Sequence, residues 1–373
     1  RFLQKCALES GHPAVYGDSV APTSPVIVKR NNLIHIIPID HVVEGDTIWN
    51  GKWTTAVRVI KKPLRKDMYY VSTRAGNVVC TEDHSLMMDG EEVSPTVLFK
   101  GDNIDIIDWP NLDSTPTLIL DENIAWILGI YLAEGSRFSD QQYVINCKDD
   151  ALIEICQQKI LTATGKQVKI SDYLKSSNCK RISYLPYELR PYLEQCYLPN
   201  TWHGGAAKPA QTTGYKIMPS CILNAPNNII SAFLDGYYAG DGYKEFANQG
   251  YSHPTNVTSK NVNLAVGLCY LYNRIGVDVS VHTHKKSLSW NLYLKSVKNH
   301  KLTKPLNEVT NVIKIPEEKL WFNHVVDIEV EDDSHVFASG RLLLHNTDSV
   351  FLKGIPDEQA GFEMQNYLNA RLV

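Results

Sequence analysis

Two changes of texture along the chain constrain its fold more than any other feature. From Ser19 to about Ile107 the sequence runs as short β-branched and aromatic segments separated by turns. Val26-Ile27-Val28, Leu33 to Pro38, Ala56 to Ile60, Tyr69 to Ser72 and Val78 to Cys80 all read as strands, punctuated by Gly45-Asp46 and Gly101-Asp102. From roughly Thr117 to Val312 the texture is mixed α/β. Helices are predicted at Asp121 to Ala133, Asn228 to Ala239 and Asn261 to Ile275, the last with Ser259 as its cap. The β pattern returns at Asn323 and runs to His345. An all-β region split by an α/β insert is an unusual arrangement.

Residues 1–18 read as a helix carrying Phe2, Leu3, Cys6 and Leu8, broken at Gly11-His12-Pro13 and followed by a short strand, Ala14-Val15-Tyr16. The tail, 347–373, ends in an amphipathic stretch around Phe362-Glu363-Met364. A chain of 373 residues is expected to form two or three domains. With 43% hydrophobic and 21% charged residues it can build a sizeable core, and gross disorder is excluded. A net charge of −4 does not advertise a nucleic-acid binder, although a local basic groove is compatible with it. No apolar run reaches about 18 residues and no signal peptide opens the chain, so a soluble, intracellular protein without membrane contact is expected. Eight cysteines without a Cys-x-x-Cys pair fit reduced, mostly buried thiols rather than zinc ligands or disulfides. The chain opens on Arg1, as a fragment of something longer would.

The two junctions of the texture carry the functional reading. One flank ends Val15-Tyr16-Gly17-Asp18, and the other begins Thr347-Asp348-Ser349-Val350-Phe351. Joined, they read VYGDTDSVF, which resembles the Tyr-Gly-Asp-Thr-Asp-Ser motif of family B DNA polymerases. The resemblance implies that Asp18 and Asp348 together hold catalytic Mg²⁺ through carboxylate oxygens. While the insertion separates them, the chain is not expected to polymerise DNA.

Ser19 follows Asp18 directly, His345-Asn346 precedes Thr347, and Thr81-Glu82-Asp83-His84 forms a Thr-x-x-His motif. Val326-Asp327-Ile328-Glu329-Val330 is followed by His335-Val336-Phe337. In this order the segments resemble those of an intein. The resemblance implies that the Ser19 hydroxyl attacks the Asp18 carbonyl and that Thr347 takes over the ester. Asn346 then cyclises to cut the chain before Thr347, with His345 as proton donor. It further implies that Thr81 and His84 polarise and protonate the first scissile amide, that Asp327 aids proton transfers around Ser19, and that His335 assists cleavage at Asn346. The spacing from Asp327 to His335 is one residue longer than the usual pattern. Splicing itself needs no cofactor.

Within the insert, Leu128-Gly129-Ile130-Tyr131-Leu132-Ala133-Glu134-Gly135 and Leu234-Asp235-Gly236-Tyr237-Tyr238-Ala239-Gly240-Asp241-Gly242 lie one small domain apart. Gly129, Ala133, Gly236 and Gly240 permit two helices to approach closely. Gly135 and Gly242 suit helix termination. Both segments resemble the LAGLIDADG motif of homing endonucleases. Glu134 and Asp241 would then meet at the base of the helix pair, share Mg²⁺ and position water for phosphodiester hydrolysis. Lys216, in Lys216-Ile217-Met218-Pro219, resembles the family's catalytic lysine and would stabilise charge developing on phosphate. Lys295 is the candidate for its counterpart in the second half. Lys166, Lys169, Lys175, Lys180, Arg181, Lys285, Lys286 and Lys295, interleaved with Tyr173, Tyr184, Trp290 and Tyr293, are candidate contacts to double-stranded DNA.

The fold class expected is mixed α/β: an all-β Hedgehog/intein horseshoe interrupted by a two-repeat α/β LAGLIDADG domain. Its divisions would be polymerase flanks at 1–18 and 347–373, splicing parts at 19–115 and 313–346, and the endonuclease at 116–312. The partners implied are the polymerase gene lacking the insertion and the rest of the polymerase chain, with the excised intein monomeric. The rivals are an insert that binds DNA without cutting it and a polymerase insertion that is never excised.

Overall fold

The computed structural model describes residues 14–16, 19–112, 118, 120–139, 142–174, 179–198, 216–242, 256–283, 290–295, 304–346 and 350–352. At 14–16, 138–139, 173–174, 295 and 350–352 it describes the backbone alone. Asp18, Thr347, Asp348, Lys175, Lys285, Lys286, most of the expected first helix and nearly all of the tail lie outside these residues.

The β region closes across the insert. A five-stranded sheet runs in the order His324–Val330, Trp53–Pro63, Thr47–Trp49, Pro25–Arg30 and Leu33–Pro38. A three-stranded sheet pairs Val309–Ile315 with Met68–Thr73 and then Asn77–Thr81. A four-stranded sheet joins Val336–Ser339, Leu342–His345, Leu86–Met88 and Glu91–Val93. Each of the three draws strands from both sides of the α/β region, so neither half can satisfy its ladder hydrogen bonds alone. Strand Val309–Ile315 straddles the boundary expected at 312–313 and pairs throughout with the first half. One core, including Val20, Val26, Val71, Cys80, Ile104, Val326, Phe337 and Leu344, lies among these sheets.

The insert is built from two repeats. Four long helices are found among the described residues: α1 (Glu122–Glu134), α2 (Asp150–Thr164), α3 (Asn227–Asp241) and α4 (Val262–Arg274). Asp121 caps α1 by accepting from the Ile124 amide at 2.7 Å. The cap of α4 is Asn261, not Ser259. Its side-chain oxygen takes the amides of Asn263 and Leu264, while Ser259 exchanges hydrogen bonds with the Asn261 backbone. In the first repeat Gln142–Cys147, α2, Ile170–Leu174 and Cys179–Ile182 follow one another, and the last strand pairs between the other two. In the second, Asn256–Ser259, α4, Asp278–Thr283 and Trp290–Lys295 do the same. Gly135, just past α1, pairs with Ile145, and Gly242, just past α3, bridges to Val257.

The helices α1 and α3 touch backbone to backbone. A Cβ on Gly129 would lie 2.1 Å from the Phe233 carbonyl oxygen, and one on Gly236 2.1 Å from that of Trp126. A Cβ on Gly240 would lie 2.5 Å from that of Ala133. All four small residues of the two motifs therefore sit at the contact, where larger ones would force the helices apart. Gly135 and Gly242 are required for a different reason from helix termination in the left-handed region. Both are extended, with φ of −85° and −79°. A Cβ there would meet the ring and carbonyl of Tyr131 or Tyr238 at 2.3–2.4 Å. Each helix turns straight into the following segment over the face of its own tyrosine.

The two bodies are joined by buried polar contacts. Asn224 exchanges two 2.9 Å hydrogen bonds with the backbone of Ile34, donating to its carbonyl and accepting from its amide. Asn263 donates to the Thr23 carbonyl, the Val281 amide donates to the Arg74 carbonyl, and the Tyr70 hydroxyl donates to Thr283. Trp290 is buried, with its ring edge 3.1 Å from where a Cβ on Gly76 would stand. Trp290 is thus not a DNA contact: its strand turns that side chain towards the β domain.

Candidate splice site and carboxylate pair

Ser19 is fully buried between two strands. Val20 exchanges 2.9 Å hydrogen bonds with Val326, which sets Ser19 beside the strand carrying the buried Asp327. The Ser19 amide donates to Thr81 Oγ1 at 3.0 Å, and the Thr81 amide donates back to the Ser19 carbonyl at 2.9 Å. That amide nitrogen belongs to the peptide bond with Asp18. His84 is buried one turn on, its amide donating to the Thr81 carbonyl and its ring tilted against Phe337 at 6.1 Å. Asp327 accepts from the neighbouring Ile328 amide.

The other end of the β domain arrives beside the same segment. The His345 amide donates to the carbonyl of Ser85, the residue after His84. His345 Nδ1 lies 2.8 Å from the carbonyl oxygen of Asn346, the group through which Asn346 joins Thr347. The Asn346 amide donates to the His335 carbonyl at 2.7 Å, and the rings of His335 and His345 lie 6.2 Å apart. His335 has a φ of +53°, a backbone that histidine tolerates better than most residues. Ser19, Thr81, His84 and His345 thus meet along segment 81–85, of which Thr81 and His84 are buried, while Asp327 lies on the strand beside Ser19 and the exposed His335 joins through Asn346 and His345. Beyond the junctions the flanks also meet: Ala14–Tyr16 pairs antiparallel with Val350–Leu352, Tyr16 opposite Val350.

The second group lies at the ends of α1 and α3. The Glu134 side chain stands against Gly240, one residue before Asp241. Between the helix ends sits Lys216, buried, with its ammonium donating to the carbonyls of Tyr131, Leu132 and Gly135 at 3.2, 3.0 and 2.6 Å. Burial pushes Lys216 down to about 8 against the opposing pull of Cys196, Asp241 and Glu134. Burial likewise pushes Asp241 up to about 6, opposed by a hydrogen bond from Tyr237 and by the charges of Lys216 and Lys260. Lys216 therefore closes the C-terminal end of α1, where a cation meets the negative end of the helix dipole. Sequence reasoning passed over Lys260, the exposed second-half lysine whose charge reaches Asp241. The signal was its place directly after the strand of the second repeat. The side chain of Lys295 lies outside the described residues.

Among the expected DNA contacts, Lys166, Lys169 and Tyr184 line one open groove with Tyr187. Tyr184 and Tyr293 are exposed. Lys180 pairs with Asp172, and Arg181 donates to Asn146. Among the described residues no helix is long and apolar enough to cross a membrane, and no three metal-ligating side chains cluster.

No family model matches the chain. A DNA polymerase of Acanthamoeba polyphaga mimivirus is 25% identical over 92% of this chain, and one of Thermococcus sp. (strain GE8) is 25% identical over 97%. The replication factor C small subunit of Methanocaldococcus jannaschii is 22% identical over 75%. The chain spans only 21%, 25% and 16% of these relatives. Among solved structures, I-DmoI in complex with DNA and Mn aligns over 47% of this chain and 89% of its own, with 17% identity and a TM-score of 0.32. The N-terminal LAGLIDADG domain of DUF199/WhiA aligns over 48% and 76%, with 14% identity and a TM-score of 0.31. The polymerase relatives match nearly all of this chain but a quarter or less of their own length, which fits an intein inserted in a DNA polymerase.

Proposed function

We propose that residues 19–346 excise themselves and join Asp18 to Thr347. The observation that carries this reading is the convergence of both junctions on segment 81–85: the Ser19 amide on Thr81 and the His345 strand on Ser85. Ser19 Oγ attacks the Asp18 carbonyl carbon, the C–N bond breaks, and the Ser19 nitrogen leaves as a protonated amine. Thr81 orients that nitrogen, while His84 and Asp327 handle its proton. Thr347 Oγ then displaces Ser19 Oγ from the ester. Asn346 Nδ2 attacks its own carbonyl carbon, and the bond to Thr347 breaks to leave a cyclic imide and a free amine. His345, with Nδ1 against that carbonyl, stabilises the developing oxyanion, and the backbone of His335 holds Asn346 in place. An O-to-N shift completes the new peptide bond. The β domain takes the Hedgehog/intein horseshoe form in this reading.

Relatedness to both a polymerase and a replication-factor subunit, over most of this chain and little of theirs, suits a transferable insertion better than a shared host activity. The paired strands Ala14–Tyr16 and Val350–Leu352 support the same view, because ligation would close them into one hairpin carrying Asp18 and Asp348. Those carboxylates would serve the polymerase once joined, with Mg²⁺.

The α/β domain is read as a nuclease for double-stranded DNA that lacks the insertion. Glu134 and Asp241 are the residues that would hold Mg²⁺, whose chemistry is activation of water and phosphate. Their fit to a hard cation rests on oxygen donors alone and on the poorly solvated charge of Asp241. Lys216 holds the end of α1 and with it Glu134, and Lys260 faces the other carboxylate. Purified intein incubated with Mg²⁺ and a plasmid carrying the joined VYGDTDSVF coding sequence tests this half. Double-strand cutting near the junction is expected, and an uncut plasmid bound by the protein would assign the domain to binding instead.

A further inference from the structure

The sheet that delivers His345 also delivers a carboxylate to its imidazole. Glu92, on the edge strand Glu91–Val93, places Oε1 3.8 Å from His345 Nδ1. Its other oxygen, Oε2, accepts from the Ser85 hydroxyl at 2.6 Å. Ser85 in turn accepts the His345 amide on its carbonyl. One serine thus fixes both the backbone of His345 and the carboxylate that faces its ring. The His345 side chain is 13% exposed and Glu92 53%, so the contact lies at the mouth of the site rather than inside it. None of the splicing steps set out above uses Ser85 or Glu92.

The chemistry needs Nδ1 as a donor. At 2.8 Å from the Asn346 carbonyl oxygen, that nitrogen stabilises the oxyanion of cyclisation only while it carries the proton. A neutral imidazole carries its proton on either nitrogen, and the partner that each nitrogen faces selects between them. An anion on the Nδ1 side favours the form with hydrogen there. We propose that Ser85 and Glu92 form a positioning pair that holds His345 as an Nδ1–H donor to Asn346, and so sets the rate of Asn346 cyclisation separately from the chemistry at Ser19. The proposal rests on the splicing reading.

Glu92→Gln, Glu92→Asp and Ser85→Ala precursors would be followed by mass spectrometry, with two steps timed apart. Hydroxylamine-trapped ester at Ser19 reports the first, and the cyclised Asn346 end the second. Glu92→Gln and Ser85→Ala should slow cyclisation about two- to fivefold, the range of a half-exposed ion pair. The ester step should keep its rate, and Glu92→Asp should recover part of the loss. In a Ser19→Ala, Asn346→Ala precursor with ¹⁵N-labelled histidine, the His345 ring should shift towards the Nε2–H form on Glu92→Gln. Equal slowing of both steps, unchanged cyclisation or an unchanged ring signal would overturn the pairing. A wild-type precursor that never cyclises would instead remove the splicing reading on which it stands.

Discussion

Ser19 and Thr81 hold each other by two reciprocal hydrogen bonds, the Ser19 amide on the Thr81 hydroxyl and the Thr81 amide on the Ser19 carbonyl. The first fixes the nitrogen that would leave in the proposed attack of Ser19 on Asp18, and the second fixes the backbone of the proposed nucleophile. Thr81→Ala removes only the first. Losing a buried hydrogen bond of about 1 kcal/mol at the reacting amide should slow ester formation roughly fivefold or more. The rate of hydroxylamine-dependent release of the first flank measures it, and an unchanged rate would take Thr81 out of the reaction.

In the proposed splicing reaction the intermediate at Ser19 would be an oxygen ester, since both attacking groups are hydroxyls. Dithiothreitol should release little of the N-terminal flank beyond the release caused by hydroxylamine, because oxygen esters react slowly with thiols. Thiol-dependent release at the yield of a cysteine-initiated ester would contradict the assignment of Ser19.

If Asp241 serves the proposed nuclease, its burial sets stability against activity. Burial raises its folded-state value to about 6, so between the ordinary carboxylate value and 6 the folded protein binds more protons than the unfolded chain. Stability from this group is therefore highest at low pH and falls as pH rises through 6, the reverse of a salt-bridged carboxylate. Asp241→Asn should raise stability at pH 7 by about 1–2 kcal/mol and flatten that pH dependence while abolishing DNA cleavage. Thermal melts at pH 5 and 7 beside a plasmid-cutting assay read both. Glu134→Gln should also end cutting, and splicing should survive either change.

The helix contact can be tested by one methyl group. Gly236→Ala would set a Cβ 2.1 Å from the Trp126 carbonyl oxygen, so α1 and α3 must separate. A loss of about 3 kcal/mol or more is expected from such overpacking. Denaturant melts measure it, and a loss below about 1 kcal/mol would show that the helices are not so closely set.

Much of this arrangement was legible because local chemistry decided it. Asp121 reads as a cap and acts as one, and small residues at Gly129, Ala133, Gly236 and Gly240 mark a face that only another backbone can cover. The gathering of Ser19, Thr81, His84, Asp327 and Asn346 was readable through the order of their motifs, not through any one of them. What sequence hid depends on partners far along the chain. Trp290, among lysines and tyrosines, reads as part of an open DNA-facing strand, yet the turn at Gly76 covers it. Lys216 reads in sequence as a lysine for charge on phosphate, and nothing there shows that the carbonyls of Tyr131 and Leu132 in α1 and of Gly135 just past it take its hydrogens. Asn261 displaced Ser259 as a cap because Ser259 is occupied by the Asn261 backbone. Gly135 and Gly242 end their helices as read, but sequence did not show the further constraint, the tyrosine ring one turn back.

Mass spectrometry of the products made by the wild type, Ser19→Ala and Asn346→Ala tests the central claim most directly. The wild type should yield the joined flanks, Asp18 bonded to Thr347, and a free 19–346 ending in cyclised Asn346. Ser19→Ala should yield no joined flanks, and Asn346→Ala should leave the chain uncut before Thr347. Joined flanks from the Asn346→Ala protein, or an intact wild-type chain under all conditions, would contradict the account.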